Sequence, residues 1–136
     1  MTMYRGSGSP FDYLTYNGRN LMGLECKLIR ERKSGKPKSF PFSRVSEVQR
    51  DGLAELDTYK NAYGFLLINF RYFKKKGRLF ALHVSDFLQL EDDFGSGIYQ
   101  DKYRNKKSIP LEYFLNEARE IKRLGKGWDL RQLKIN

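Results

Sequence analysis

The alternation of apolar and polar residues near the amino terminus predicts a β-hairpin. Residues 11–16 and 21–29 predict its two strands, and alternate residues of the second strand are apolar. Asn17-Gly18 lies between the strands and is typical of a type I′ turn, in which both central residues have positive φ. Glu25 and Lys27 then point to the face of the second strand opposite its apolar residues.

The next part of the chain predicts a helix followed by two strands. Apolar residues at steps of three and four predict the helix over about 43–62, although Ser46 and Gln49 fit a capping box that would start it later. A continuous apolar run at 64–70 predicts a strand covered on both faces, and 78–84 predicts the following strand.

The remainder predicts a short helix at 85–89, a loop at 91–107, and a second long helix that Ser108 and Pro110 open and that continues to Leu124. The element order is therefore β-β-α-β-β-(short α)-α. At 136 residues the chain predicts one mixed α/β domain over 1–136, with a mixed central sheet flanked by helices. The Gly/Ser-rich residues 1–10 are expected to be flexible.

Composition narrows the class of protein. No apolar run approaches the length of a membrane span, and the first residues lack the apolar segment of a signal peptide, so we expect a cytoplasmic protein without a membrane partner. Cys26 and His83 are single residues of their type, which excludes an internal disulfide framework and a Cys/His zinc site. Cys26 alternates with apolar residues, so its side chain is expected in the core.

The charge of the chain indicates a polyanionic partner. The 26 Lys and Arg residues outnumber the 16 Asp and Glu residues, which gives a formal net charge of +10. Nucleic acid is the commonest partner of such a chain, and the alternative is an ordinary basic surface. The expected nucleic-acid-binding residues follow the hairpin (Arg30, Arg32, Lys33, Lys36, Lys38) and precede the last predicted strand (Lys74, Lys75, Lys76, Arg78).

Two acidic residues of the hairpin predict a metal site. Asp12 lies on the first strand, and the pairing of the two strands brings it beside Glu25 and Lys27. Two converging carboxylates, with the backbone carbonyl of Cys26, form a hard-oxygen site suited to Mg²⁺. A neighbouring lysine can hold a phosphate oxygen or orient water, and phosphodiester hydrolysis uses these same groups.

Two alternatives stay open at this point. The spacing Glu-x-Lys is common, and Glu25 and Lys27 can be an ordinary ion pair on a solvated strand. Gln49 lies among the apolar positions of the predicted helix, so its amide needs polar partners. Those partners are either backbone groups or the metal site and its attacking water.

These motifs together resemble the PD-(D/E)xK nucleases, and more closely the RecU-type Holliday junction resolvases. The resemblance extends over roughly 11–87. It rests on Asp12-Tyr13, Tyr16-Asn17-Gly18, Glu25-Cys26-Lys27, the Ser-Phe-Pro-Phe stretch at 39–42, Val48-Gln49 and the strands at 64–70 and 78–84.

The resemblance implies a single restriction-endonuclease-like domain that cuts branched DNA, most simply four-way junctions, by metal-dependent hydrolysis. It implies Asp12 and Glu25 as metal ligands, Lys27 as the catalytic lysine and Gln49 as a polar active-site residue. Mg²⁺ is the expected cofactor, with Mn²⁺ as its substitute. The histidine-rich helix start of the family corresponds to 46–48 here, where Glu47 offers a carboxylate instead.

The resemblance also implies a homodimer, because paired cuts across a junction need two active sites. Such a protein would be nucleoid-associated, or would act in the host cytoplasm if the chain is viral. Two other functions are compatible with the same residues. One is a nuclease of this fold that acts on duplex or single-stranded DNA, and the other is a DNA-binding module without catalysis.

Overall fold

The computed structural model describes residues 2–4, 11–30, 39–72, 76–104 and 106–133. Its strands are β1 (Thr2–Tyr4), β2 (Tyr13–Tyr16), β3 (Leu21–Arg30), β4 (Ser39–Pro41), β5 (Ala62–Arg71), β6 (Arg78–His83), β7 (Ser108–Pro110), β8 (Arg119–Ile121), β9 (Arg123–Leu124) and β10 (Gly127–Trp128). Its helices are α1 (Glu47–Leu56), α2 (Val84–Ser96), α3 (Gln100–Tyr103) and α4 (Leu111–Glu117), with 3₁₀ turns at Phe42–Arg44 and Leu130–Gln132.

The central sheet has the strand order β1-β2-β3-β5-β6-β8. Strands β3 and β5 are parallel, with Leu21 opposite Ala62 and Arg30 opposite Arg71, and the other neighbours are antiparallel. A crossover through α1 joins the parallel pair, as parallel strands require. The prediction of a mixed α/β fold with a mixed central sheet is therefore confirmed.

The two faces of the sheet are covered differently. The helices pack on one face, where Leu53 of α1, Phe87 and Phe94 of α2 and Phe114 of α4 are buried with Leu66, Ile68 and Phe70 of β5. The other face carries a smaller core around Met22, Leu24 and Leu67, against which the carboxyl-terminal residues Trp128, Leu130 and Leu133 pack. Strand β5 is covered on both faces, as its continuous apolar run predicts.

The loop of the first hairpin differs from the predicted type I′ turn. Gly18 has a φ of +87°, whereas Asn17 is not among the described residues with positive φ. The Asn17 side chain instead accepts hydrogen bonds from the backbone N–H groups of Arg19 (3.0 Å) and Asn20 (2.7 Å). The loop thus extends over 17–20, because a side-chain acceptor replaces the backbone geometry of a two-residue turn.

Helix α1 is shorter than its predicted range of 43–62. Ser46 caps it and forms a capping box with Gln49, so the later start is the one observed. Val48 and Tyr59 are two of the apolar residues whose spacing predicts the helix, and they are 67% and 61% exposed. The buried side of the helix contains Leu53 instead, four residues after Gln49.

The carboxyl-terminal half departs most from prediction. Helix α2 replaces the short helix at 85–89 and, with α3, most of the expected loop at 91–107. The predicted long helix ends at Glu117, because Ala118 is extended and Ile121 is buried opposite Leu79 at the edge of the sheet. No described helix is long and apolar enough to span a membrane. Apart from 2–4, the amino-terminal residues 1–10 expected to be flexible lie outside the described residues.

Candidate active site

Asp12 lies immediately before β2, on the edge of β3. Strand β2 begins at Tyr13, which pairs with Leu24, so β3 continues beyond this pairing. Asp12 Oδ2 accepts a hydrogen bond of 3.0 Å from the backbone N–H of Cys26. In a longer β2, the strand backbone would accept this hydrogen bond. Here the Asp12 carboxylate accepts it instead, which holds the carboxylate beside Glu25.

Glu25, Lys27 and Gln49 form a closed triangle on the helix-covered face of the sheet. Lys27 Nζ lies 3.2 Å from Glu25 Oε2 and donates to Gln49 Oε1 at 3.1 Å. The third side is the hydrogen bond from Gln49 Nε2 to Glu25 Oε2, also 3.1 Å. Glu25 is 3% exposed and the Lys27 side chain 14%, so this ion pair is not on a solvated strand. The structure brings together three of the residues that the sequence predicts for the site.

Gln49 has backbone partners and also contacts two of the residues predicted for the site. Its backbone N–H donates to Ser46 Oγ at 3.2 Å, and its Oε1 accepts from the backbone N–H of Ser46 at 3.0 Å, which completes the capping box. Ser46 N and Lys27 Nζ are both donors, so the amide oxygen must face them and the amide NH₂ must face Glu25. The helix cap thereby sets which end of the amide the carboxylate meets.

A pair of glycines lets α1 approach the sheet closely enough for this contact. Gly23 and Gly64 are opposite each other on β3 and β5. A Cβ on Gly64 would lie 2.6 Å from the carbonyl oxygen of Leu53, and one on Gly23 would lie 2.6 Å from a methyl group of Leu56. The helix therefore rests on bare backbone, and Gln49, one turn before Leu53, reaches Glu25 and Lys27.

Burial sets the electrostatics of Glu25. Desolvation raises the pKa of this carboxyl, and the Asp12 carboxylate adds to the rise. The hydrogen bond and charge of Lys27, together with the backbone N–H of Asp12, lower the pKa but do not cancel the rise. A bound cation would favour the ionised form of this carboxylate.

The prediction that the Cys26 side chain lies in the core is wrong. Strand β2 pairs with β3 only up to Leu24, and Cys26, beyond that point, is exposed. Although the residue is exposed at the strand edge, the protein around the thiol still desolvates it. This desolvation, followed by the charges of Asp12 and Glu25, raises the pKa of Cys26 to about 12, so it remains a neutral thiol near pH 7. Since the N–H and C=O of a strand residue point to the same side, the Cys26 carbonyl faces the same edge as Asp12.

These groups fit a Mg²⁺ site in which the substrate and water supply some of the metal ligands. Among the described residues, no group of three or more His, Cys, Asp and Glu side chains is placed to hold a metal. Mg²⁺ commonly uses only one or two protein carboxylates, with waters and substrate phosphates as its other ligands. Asp12, Glu25 and the Cys26 carbonyl match that donor set, and all three donors are oxygen atoms.

Two of the basic segments lie at one end of the sheet. Arg30 ends β3, Arg71 ends β5, and the parallel register places them opposite each other, both exposed. Lys76 is exposed just before β6, whereas Arg78 donates to Glu120 at 2.7 and 2.8 Å. The other predicted nucleic-acid contacts lie outside the described residues: Arg32, Lys33, Lys36, Lys38, Lys74 and Lys75.

Two arginines that support the site were not predicted from the sequence. Arg50 donates to the backbone carbonyls of Phe42 (2.7 Å) and Val45 (3.0 Å) and forms an ion pair with Glu91, which holds the start of α1 against α2. Arg44 donates to the Leu28 carbonyl at 3.2 Å and places an exposed cation near the Lys27 end of β3. The sequence shows only charged residues near the helix start, without indicating the carbonyls that they bind.

His83 occupies a structural position away from the triangle. Its Nε2 lies 2.5 Å from Asp57 Oδ1, which also accepts from the Gly64 N–H, and its Nδ1 lies 2.7 Å from Ser85 Oγ. These bonds tie the end of α1 to β5 and β6. A cleft of about 700 Å³ opens beside His83 and Ser85, but none of the four predicted catalytic residues lines it.

The remaining predicted residue, Glu47, is exposed in the first turn of α1.

In comparisons with known proteins, no family model matches the chain and no curated protein is significantly similar to it.

Proposed function

We propose that this protein is a metal-dependent DNA endonuclease of the PD-(D/E)xK type that acts on branched DNA. The observation that carries the proposal is the contact of a buried carboxylate with both a lysine and a helix-borne glutamine, beside a second carboxylate. The basic end of the sheet, at Arg30 and Arg71, begins three residues after Lys27 and offers a surface for the DNA backbone.

The residues of the site have distinct tasks in hydrolysis. Asp12, Glu25 and the Cys26 carbonyl would hold Mg²⁺, and the bound ion would polarise the scissile phosphate and lower the pKa of a bound water. Lys27 supplies a fixed cation for the charge that develops on the phosphate oxygens. Gln49 forms hydrogen bonds with both Lys27 and Glu25 and so fixes the distance between them. Neither side chain then has to move when the substrate binds.

A nicking assay on synthetic DNA tests the proposal and its alternatives. The purified chain is incubated with Mg²⁺ and a labelled four-way junction, a linear duplex of the same sequence, or a single strand. Cleavage of the junction alone supports a resolvase, and equal cleavage of duplex or single strand supports a general nuclease. Binding without cleavage in Mg²⁺ or Mn²⁺ would contradict the proposal and favour a DNA-binding module.

Mg²⁺ is expected to raise the melting temperature, and to do so more at pH 8 than at pH 5. The folded-state pKa of Glu25 is raised, so its protonated form stabilises the fold at low pH and this stabilisation is lost as the pH rises through that pKa. Only the ionised carboxylate binds the metal, and binding to the folded state alone stabilises it. Differential scanning fluorimetry measures the shift, which Glu25→Gln should remove; a shift of equal size in that variant would place the metal elsewhere.

DNA affinity is expected to depend on salt through the strand-end arginines. On duplex DNA, log K falls with log salt by about 0.9 for each phosphate neutralised. The double variant Arg30→Ala/Arg71→Ala should therefore flatten the slope by about 1 to 2. Arg19→Ala removes one exposed charge from the loop at the opposite end of β3 and should leave the slope unchanged. Equal slopes in all three proteins would contradict this binding surface.

The protein is expected to be a two-fold dimer when it acts on a junction. One chain contains one set of Asp12, Glu25 and Lys27, and two coordinated cuts need two sets. Light scattering at micromolar concentration measures the mass with and without junction DNA. A mass of one 16.1 kDa chain without DNA, and of one chain per junction with DNA, would argue against paired cuts.

A further inference from the structure

The hairpin formed by β9 and β10 carries positive charge and an exposed apolar tip. Gly125, with a φ of +61°, makes its turn, and Leu124 beside the turn is 58% exposed. Lys122, Arg123 and Lys126 are also exposed. The guanidinium of Arg123 lies 4.3 Å from the ring centroid of Trp128, whose side chain packs against the smaller core. The Arg123 guanidinium thus packs on the Trp128 ring, and the ring is held in place by its contacts with the smaller core.

The base of the hairpin is fixed to the rest of the protein. The backbone N–H of Asp129 donates to the Lys122 carbonyl at 2.9 Å, and the Lys122 N–H donates to Gln132 Oε1 at 3.0 Å. These two bonds fix the base of the hairpin relative to the 3₁₀ turn at Leu130–Gln132.

The hairpin leaves from the same end of the sheet as the arginines near the active site. Strand β8 is antiparallel to β6, and β6 is antiparallel to β5, so β8 runs parallel to β5 and β3. Ile121 lies opposite Leu79, which lies opposite Asn69, two residues before the end of β5. The chain after Ile121 thus emerges level with Arg71 and Arg30, across three strand spacings of about 4.8 Å each from β3.

Several exposed cations lie at this end of the sheet. Among the described residues beside the hairpin, Glu120 forms an ion pair with Arg78 and Asp129 with Arg131, both at 2.7 Å. The exposed cations at this end include Arg30, Arg71, Lys76, Lys122, Arg123 and Lys126. This distribution is complementary to a phosphate backbone that passes from the active-site strand toward the hairpin.

From these observations we infer that the β9–β10 hairpin is a second DNA contact, which engages unstacked bases at the branch while the active site holds the neighbouring backbone. This inference rests on the proposed function for its substrate. Bases that lack a stacking partner stack on arginine planes, and apolar side chains such as leucine enter between separated base steps. Arg123 and Leu124 are successive residues of β9, so the hairpin carries these two groups on its two opposite faces. Base pairs within an intact duplex would not be open to either of them.

The test measures DNA binding in EDTA, so that it does not depend on cleavage. Trp128 is the only tryptophan of the chain, and its emission is followed during titration with a four-way junction, a single strand and a linear duplex. Junction and single strand are expected to change the emission, and duplex to change it less. Arg123→Ala and Leu124→Ala should each weaken junction binding by about 5- to 100-fold, the range that loss of a base-stacking contact produces.

Matched variants separate the contact from general electrostatics. Arg19→Ala removes an equal charge at the opposite end of the sheet, and Leu115→Ala removes a leucine that is 45% exposed on α4. Both should bind the junction like the unmodified protein. Equal losses in Arg123→Ala and Arg19→Ala, unchanged affinity in Arg123→Ala, or an equal preference for duplex would overturn the inference.

The outcomes also distinguish this inference from the proposed function. A junction-dependent change in Trp128 emission without nicking in Mg²⁺ would keep the hairpin contact and remove the nuclease. If Arg123→Ala still nicks the junction and binds it with unchanged affinity, the nuclease proposal is kept and the hairpin contact is removed. Circular dichroism melting of each variant confirms that a loss of binding is not a loss of fold, and a variant that unfolds is replaced by Arg123→Gln.

Discussion

Glu25→Gln and Lys27→Ala are each expected to lower the rate of DNA cleavage by about 10²- to 10³-fold or more. Glutamine at position 25 keeps the shape of the side chain but removes the negative charge that would ligate Mg²⁺. Alanine at position 27 removes the cation that lies 3.2 Å from that carboxylate. Glu25 would act through the metal and Lys27 on the one phosphate that reacts, whereas most of the affinity comes from the other backbone phosphates. Junction affinity measured without metal should therefore change little.

Exposed residues of α1 provide the controls for this experiment. Glu55→Gln makes the same chemical change on the solvent side of the helix and should cleave like the unmodified protein. Glu47→Gln tests whether the exposed carboxylate at the helix start takes part. Cleavage by Glu25→Gln at the unmodified rate would exclude Glu25 as a metal ligand, and a loss confined to Glu47→Gln would move the site to the helix terminus.

The sequence predicts the residue types of the site better than their surroundings. Alternation on β3 places Glu25 and Lys27 on one face, and a capping-box pattern identifies Gln49 as a helix-start residue. The alternation indicates a face opposite the apolar residues of the strand, and it does not reveal that the helices cover this face. The burial of Glu25, and hence its raised pKa, depends on the tertiary packing of α1.

The carboxyl-terminal region shows where periodicity alone is insufficient. Residues 111–124 have the apolar spacing of a helix. Ile121 nevertheless lies in strand β8, where it is buried opposite Leu79 of β6. Edge pairing with β6, together with the ion pair between Arg78 and Glu120, stabilises a strand there. Such non-local contacts override intrinsic preference, and without them the β9–β10 hairpin and its basic surface cannot be inferred.

Gly64→Ala is expected to destabilise the protein by about 1–3 kcal/mol and to lower cleavage as well. The new methyl group would lie 2.6 Å from the Leu53 carbonyl oxygen and 2.9 Å from the Leu53 Cβ. The nearest atom belongs to the helix backbone, so a rotamer change cannot relieve the overlap and α1 must move away from the sheet. Gln49 would move with it, which would lengthen both of its hydrogen bonds, to Glu25 and to Lys27.

A second glycine provides the matched control for this substitution. Gly95 lies in α2, is exposed, and would have nothing within 4 Å of an added Cβ. Gly95→Ala should therefore be neutral or stabilising by up to about 1 kcal/mol, because alanine loses less conformational entropy than glycine in a helix. Urea unfolding measures both variants, and cleavage is compared at a temperature where both are folded. If Gly64→Ala were as stable and as active as Gly95→Ala, close contact between α1 and the sheet would not be what positions Gln49. Loss of activity in folded Gly64→Ala, with activity still low in the double variant whose stability Gly95→Ala partly recovers, would show that helix position limits the chemistry.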